Sequence, residues 1–396
     1  MRIGILSRTA RSYSARRLRE AGTARKHRVR IYDTLRFSIA VERQWPELYY
    51  RHRRLPALDA VVPRIGASIT FFGLAVVRQF EQMGVYTANE SIPIARARDK
   101  LRAMQLLSRH DIGVPSTVFV RDRQEVLPAI ERVGGPPVII KVLEGTQGVG
   151  VILADTEKVA EAIVQTLQSA RQNVLIQKFV KESKGQDIRA IVVGDRVVAA
   201  MRRKAVGDEF RSNVHRGASA SPVTLEPEYE QVAIRAAQVI GLRIAGVDIL
   251  ESNEGPQVLE VNSSPGLEAI EAVTGADVAG AIIEDVEHQV LFPEVDLRQR
   301  LRLTGGYGVA EFRVHKMPEL EGHALRDTTL AEQNVHVLMI TRKKIVIHNP
   351  TGDHIIRRGD VLLCYGDLHV LRSLVPQRKP RRPRAPQARA PRRPKR

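Results

Sequence analysis

The chain has 396 residues, 43% of them hydrophobic and 27% charged, with one cysteine and a formal net charge of +18. That length exceeds one ordinary core and calls for roughly two to four structural units. No apolar stretch approaches the ~20 residues of a membrane-spanning helix, so no membrane partner is expected. The lone Cys364 lies in the apolar run VLLCYG, which excludes an internal disulfide and reads as a small core residue in a reducing cytoplasm. The charge is uneven, because residues 377–396 hold ten Lys and Arg, five Pro and no acid. Such a stretch cannot bury enough apolar surface to offset chain entropy. Residues 376–396 therefore read as a disordered basic tail, either a tether to RNA such as rRNA through phosphate contacts or a solvated run with no dedicated partner.

In chain order, the opening MRIGIL has too short an apolar run and no cleavage site for a secretion leader, so it reads as a first strand. RIGIL, the helical SARRLREAG, then VRIYD and DAVVPRIG, followed by the helix FFGLAVVRQFEQMG, give βαβ logic. They predict a small parallel sheet flanked by helices over residues 1–90, its third strand ending near Pro63. No G-x-G-x-x-G follows the first strand, which leaves dinucleotide binding without support. Residues 91–116 predict one helix, RARDKLRAMQLLSRHD, with Leu101, Met104 and Leu107 on its buried face. From about 117 to 292 the pattern is α+β: strands STVFV, PVIIKVLE, VLIQKFV, DIRAIVVGD, RVVAAMRRK, RIAGVDILE and PQVLEVN, and helices VLPAIERV, VAEAIVQTLQSA and EYEQVAIRAAQVIG. Residues 293–308, with GGYG, read as a linker. Residues 309–375 read as a small α/β unit with strands AEFRVH, VHVLMITR, KIVIH and VLLCYG.

Two acids and an amide on successive predicted strands carry the strongest chemical signal: Asp248 in IAGVDILE, then Glu260 and Asn262 in QVLEVNSSPG. Side chains two apart on a strand share a face, so Glu260 and Asn262 project together and Asp248 can join them from a neighbouring strand. Three hard oxygen donors suit magnesium, which takes one or two carboxylates plus substrate phosphates. A polar sheet face without metal has the same spacing. The loop EGTQGVG, residues 144–150, follows the strand VIIKV; glycines there let backbone N–H groups approach a phosphate, although a plain hairpin would use them too. Lys141 lies inside the apolar run PVIIKVL, where an ammonium is costly unless it meets an anion such as an α- or β-phosphate. Lys100, near a helix start, is a second phosphate candidate or an ordinary surface lysine. Arg202-Arg203-Lys204 and, after Phe210, Arg211-Ser212-Asn213 suit carboxylates and phosphates through bidentate arginine, or form a solvated basic turn. Asp187 in KGQDIR can accept hydrogen bonds from a ribose or shape a turn.

Taken in order, Lys100, Lys141 with EGTQGVG, Gln177-Lys178-Phe179, KGQDIR, MRRK, FRSNVHRG, AGVDIL and LEVNSSPGLE resemble the ATP-grasp series of the RimK family, over about residues 1–292. The resemblance implies an ATP-grasp fold over 91–292 behind the parallel-sheet domain, using ATP and two magnesium or manganese ions. It puts Lys100 and Lys141 on phosphates, the backbone of Lys178 and Phe179 on adenine, and Asp187 on the ribose. It also puts Arg211, Ser212 and Asn213 on nucleotide phosphate, and makes Asp248, Glu260 and Asn262 the metal ligands. Position 178 is a lysine where family members usually carry an acid, a change that backbone contacts to adenine survive. The implied reaction is phosphorylation of a carboxylate by ATP and attack of an amine on the acyl phosphate, adding glutamate to the C-terminus of a ribosomal small-subunit protein. Arg211 would spread the developing charge, and Arg203 would hold the acyl phosphate or the acidic amino acid. The loop 144–150 and the stretch 207–217 would close over the nucleotide. Residues 309–375, with LEGHALRDTTL, VLMITRKK and GDHIIRRGDVLLCYG, resemble the TrkA C-terminal ligand-binding module, which implies regulation or assembly and a homo-oligomer. Two other readings compete: ligation of an amino acid to a small-molecule acceptor, and a ribosome- or RNA-binding protein with a vestigial nucleotide site. The intact set Asp248, Glu260, Asn262 and Lys141 argues against the latter.

Overall fold

A computed structural model describes residues 1–41, 46–142, 150–206, 219–291, 307–314, 320–342, 345–367 and 370–371. The chain separates into two compact units, Met1–Pro293 and Glu294–Arg396.

In the first unit, β1 (Arg2–Ser7), α1 (Tyr13–Ala24) and β2 (Arg28–Tyr32) make the opening βαβ turn. β1 is buried from Ile3 onward because helices and other strands cover both faces of a parallel sheet. β3 (Phe37–Ala40), β4 (Glu47–Tyr50) and β5 (Arg53–Arg54) follow as a small antiparallel sheet. No strand was expected there, since the segment is rich in arginine and lacks an apolar alternation. β6 (Ala60–Arg64), α2 (Thr70–Gln82) and β7 (Tyr86–Thr87) complete a four-stranded parallel sheet in the order β2-β1-β6-β7.

The single helix expected over 91–116 is two helices, α3 (Ser91–Arg98) and α4 (Lys100–Arg109). Asp99 between them is extended (φ −85°, ψ 97°) and its carboxylate accepts the Arg102 N–H at 3.0 Å, so local capping defeats helix continuity. Ala103 and Leu107 are buried, whereas Leu101 and Met104 are only half-buried. The break sets Arg98 and Lys100 on either side of one corner.

β8 (Thr117–Val120), α5 (Val126–Arg132), β9 (Val138–Val142), β10 (Val151–Ala154), α6 (Glu157–Ser169) and β11 (Val174–Lys178) form a lobe of their own. Its antiparallel sheet runs β10-β9-β11-β8, over a core of Val126, Ile130, Val138, Ile140, Val164 and Ile176. The second antiparallel sheet, in the order β14-β13-β12-β15-β16, is built from β12 (Gln186–Val193), β13 (Arg196–Lys204), β14 (Ser219–Pro222), β15 (Ile244–Leu250) and β16 (Gln257–Asn262). α7 (Pro227–Ile240) packs on it and ends at Gly241, whose φ of 93° is the left-handed cap that glycine adopts readily. α8 (Glu268–Thr274) and α9 (Val278–Leu291), neither expected from the sequence, finish the unit.

The parallel sheet and the β12–β16 sheet share cores. Leu6, Tyr32 and Val61 pack in one cluster with Ala190, Val192 and Val247; Ile282, Ile283 and Val286 of α9 pack in another with Ile3, Ile5 and Leu18. Asn89 joins the two sheets by hydrogen bonds. Its Nδ2 donates to the Ile244 and Ser263 carbonyls at 2.8 and 3.1 Å, and its Oδ1 accepts from the Arg243 and Ile244 N–H groups at 3.0 and 3.1 Å.

In the second unit, β17 (Tyr307–Arg313), α10 (Thr329–Glu332), β18 (His336–Arg342), β19 (Ile345–His348) and β20 (Val361–Asp367) give an antiparallel sheet in the order β17-β20-β18-β19. Cys364 is fully buried in its core and burial pushes the thiol up to about 12, which fits the reading of an inert packing residue. Residues 293–306 of the expected linker and all of the basic tail lie outside the described residues. Among the described residues no helix is long and apolar enough to cross a membrane.

Asn89 satisfies four backbone groups while only 3% exposed. Asn89→Ala is expected to destabilise the chain by about 2–4 kcal/mol in urea unfolding, and a loss under about 0.5 kcal/mol would contradict this role.

Candidate active site

Strand register brings the polar set together. Asp187 on β12 lies opposite Arg203 on β13, Arg189 on β12 opposite Asp248 on β15, and Asp248 opposite Glu260 on β16, with a bulge after Asp248. Cross-strand neighbours lie within side-chain reach. Arg203 donates to Asp187 through both arms of its fork, Nε to Oδ1 at 2.6 Å and Nη2 to Oδ2 at 2.5 Å, and its Nη2 lies 3.0 Å from Oδ2 of Asp248. Arg189 grips Asp248 from the other side at 2.7 and 2.6 Å.

This arrangement differs from two expectations. Asp187, read as a ribose acceptor, is 3% exposed and gives both oxygens to Arg203; Arg203, read as a ligand for acyl phosphate or substrate, is equally buried and holds two carboxylates of its own protein. The reason is that strand pairing places the planar fork directly against a carboxylate, the geometry in which arginine binds best. Burial alone would raise the Asp248 pKa, but Arg189 and Arg203 outweigh it and hold the carboxyl below its ordinary range. Arg202, beside Arg203, pairs instead with Glu251, and Lys204 is exposed.

Glu260 is exposed and makes no ion pair among the described residues. Asn262, two residues on and on the same face, is half-buried with its Nδ2 lacking a hydrogen-bond partner, as do the hydroxyls of Ser263 and Ser264. Amide nitrogen and oxygen are interchangeable by a flip, so this unmatched end is equally an oxygen for a cation. Asp248 offers about four acceptor positions of which the arginines take three, leaving one. Glu260, Asn262 and the remaining Asp248 position are therefore a donor set that fits magnesium or manganese. Among the described residues no cluster of three His, Cys, Asp or Glu could hold a metal, so the amide is a necessary member of this set.

The cations come from the other elements. Lys141 on β9 is half-buried and makes no hydrogen bond or ion pair among the described residues; burial pushes its ammonium down to about 8, against an opposing pull from Glu260 and with a small push from Lys100. Lys100, at the start of α4, donates to the Val142 carbonyl at 3.4 Å, and burial lowers its pKa while Glu260 partly restores it. Glu260 is thus close enough to act on both lysines. The glycine loop begins here: Val142 N–H donates to the Gly150 carbonyl at 2.8 Å and Gly150 takes φ +80°, closing the ends of a loop whose residues 143–149 lie outside the described residues. Arg211, Ser212 and Asn213 lie outside them as well.

Two further cations at this place were missed from the sequence. Arg98, at the end of α3, donates to the Ile65 carbonyl and has its pKa lowered by burial. Arg64, at the end of β6, is pushed down to about 10 by burial and by Arg98. The available signal was VVPRIG, an arginine at the carboxyl end of a parallel strand, where ligands of such sheets bind. At the end of β11 the Lys178 N–H donates to the Ser116 carbonyl at 2.8 Å, and Lys178 Nζ pairs with Glu254 at 2.7 Å. The Phe179 N–H makes no hydrogen bond among the described residues, so of the two it is the one open to an adenine.

Arg203→Met would leave the Asp187 carboxylate buried without its partner and is expected to destabilise by about 3–5 kcal/mol, much of it recovered in the double variant Arg203→Met, Asp187→Leu. Lys141 gives a pH signature. The ordinary lysine value is 10.5 and the folded value about 8, so between them the unfolded chain holds a proton that the folded one lacks, and stability rises with pH across that window. Lys141→Met should therefore stabilise by about 1–3 kcal/mol at pH 7, with the gain shrinking as pH climbs past 8. A gain independent of pH would contradict this.

The chain matches the RimK-like ATP-grasp domain over residues 97–286, the RimK PreATP-grasp domain over 1–94 and the TrkA-C domain over 309–376. A curated protein of Rhodopirellula baltica called a probable alpha-L-glutamate ligase is 57% identical over 386 residues, covering 96% of this chain and 95% of that protein. One of the same name from Pseudomonas entomophila is 55% identical over 287 residues, 72% of this chain and 95% of its own length, which leaves no room in it for a counterpart of the second unit. Among solved structures, the ATP-grasp ligase PsnB complexed with a phosphomimetic variant of its minimal precursor, Mg and ADP has the same fold, with a TM-score of 0.57 at 22% identity over 72% of this chain and 98% of that one. The match to the family's domains and the 57% identity over nearly the whole chain make this protein a member of the RimK-like ATP-grasp family, enzymes that join carbon to nitrogen.

Proposed function

We propose that the protein is an ATP-dependent glutamate ligase that adds glutamate to the C-terminus of a ribosomal small-subunit protein through an acyl phosphate. The reading is carried by Glu260, whose carboxylate opposes the desolvation of both Lys100 and Lys141, with Asn262 two residues along the same strand and Lys100 bonded to the carbonyl next to Lys141. A triphosphate needs cations on one side and metal-binding oxygens on the other, and this set supplies both. The names of the curated relatives support glutamate as substrate.

Lys100 and Lys141 bind the phosphates, and the desolvated Lys141 gains most, since an anion removes the penalty of its burial. The Phe179 N–H and the β11 end seat the adenine. Asp187 and Arg203, bound to each other, act on the reaction through their hold on Asp248. Glu260, Asn262 and the remaining Asp248 position would hold the divalent cations, which when bound would supply charge neutralisation for the phosphates. A substrate carboxylate oxygen attacks the γ-phosphorus and ADP leaves. The amine then attacks the acyl carbon, phosphate departs with the bonding pair, and the amine proton passes to solvent. Arg211, Ser212 and Asn213 would face the nucleotide phosphate, and residues 144–150 and 207–217 would exclude the water that hydrolyses the intermediate. We assign the working boundaries as 1–90, 91–292 and 309–375, with the last domain regulatory or assembling rather than catalytic. Its lack of a counterpart in the P. entomophila relative supports this.

Glu260 gives a clean test because it makes no ion pair among the described residues. Glu260→Gln should lower glutamate- and acceptor-stimulated phosphate release by at least about 100-fold while the protein still unfolds cooperatively, its midpoint lowered only by the lost pull on Lys100 and Lys141. In the same assay the acceptor protein should gain the mass of glutamate residues. Equal turnover in both enzymes would remove the ligase assignment, and stimulation by a small amine alone would move the acceptor from protein to small molecule.

A further inference from the structure

Residues 28–56 carry an arrangement that the ligase site does not use. A cavity of about 370 Å³ opens beside the β3-β4-β5 sheet, and its wall includes Arg30, Arg51, Arg53 and Arg54 with the rings of Tyr32 and Tyr50. Two of the arginines lie against the rings. The Arg30 guanidinium carbon lies 5.2 Å from the Tyr32 ring centre and 5.8 Å from that of Tyr50, and Arg51 lies 5.7 Å from Tyr50. Such stacking fixes a cation without neutralising it.

Only Arg54 has an acid, Glu47 at 2.5 Å; Arg30, Arg51 and Arg53 have no carboxylate partner among the described residues. The turn that presents them is itself disfavoured. Arg51 and His52 link β4 to β5 with φ of 50° and 65°, the left-handed conformation that two-residue hairpin turns normally give to Asn and Gly. The turn sets Arg51 and His52 at the tip of the hairpin, where both are exposed.

The anion's class follows from what the rings and the sheet edge offer. Tyr32 is 1% exposed and Tyr50 is covered by two guanidinium groups, so no aromatic face is open to stack a base, as single-stranded RNA would require. β5 is an edge strand with no neighbour on its outer side among the described strands, and an extended peptide can add there. Guanidinium forks then match carboxylates in pairs.

We propose that this arginine-lined cavity binds the carboxylates of an extended acidic peptide, at a site made of residues separate from those that hold the nucleotide. Under the proposed activity such a peptide is what the reaction produces. That consequence rests on the ligase reading, whereas the binding itself involves no turnover.

Fluorescence anisotropy of a labelled hexaglutamate peptide with the full-length protein tests it. Arg51→Gln, Arg53→Gln together should weaken binding about tenfold or more, while basal ATP hydrolysis and the melting temperature stay unchanged, both side chains being exposed. Arg51→Lys, Arg53→Lys should fall between, since it keeps the charge and loses the fork. Hexaglutamine should bind far more weakly than hexaglutamate. Unchanged hexaglutamate affinity in the Gln variant would place the peptide on other cations, the C-terminal basic run included, and overturn the proposal. So would a uridine hexanucleotide whose binding drops in that variant while hexaglutamate binding does not.

Discussion

The site depends on one arrangement of charge, the buried chain Asp187, Arg203, Asp248, Arg189 laid across β13, β12 and β15. Two carboxylates and two guanidiniums neutralise each other inside the sheet. Taken singly, each would be intolerable at that depth. Their mutual satisfaction fixes the Asp248 carboxylate opposite Glu260 and so sets where a cation can lie. The same network keeps Asp248 ionised, as an oxygen donor to a metal must be.

Around this sheet the other elements contribute positive charge. Lys141 from β9, Lys100 from α4, Arg98 from α3 and Arg64 from β6 arrive from four elements, and three of them retain depressed affinities for their protons although Glu260 is near. A polyanion is the partner that would satisfy them all together. In this sense binding is prepared in advance, because the energetic cost of gathering like charges is already met by the folded core.

Much of this was legible in the sequence because it is local. Strand alternation marked β12, β13, β15 and β16, and the two-residue spacing of Glu260 and Asn262 put them on one face, where the structure has them. Lys141 stood out as a charge within an apolar strand. What escaped was set by distant pairing. Which carboxylate Arg203 would meet depends on the register of β12 against β13, and no single segment records it. Asp99 is a different case: its capping carboxylate was visible, but the apolar period across it argued for one helix, and the cap won. β3 to β5 were hidden because arginine and tyrosine in short runs resemble a polar loop, and α8 and α9 because their buried faces appear only against α1 and the sheets.

The tie between Lys178 and Glu254 differs in kind from the buried network. It joins the end of β11 in the one lobe to the turn between β15 and β16 in the other, and it lies in solvent, 42% and 67% exposed. A bond so placed is worth about 1 kcal/mol or less and weakens as salt rises. The contact between the two lobes at this point is thus one that the surrounding electrolyte can loosen, while the buried pairing of Asp187, Arg203 and Asp248 is far less sensitive to it.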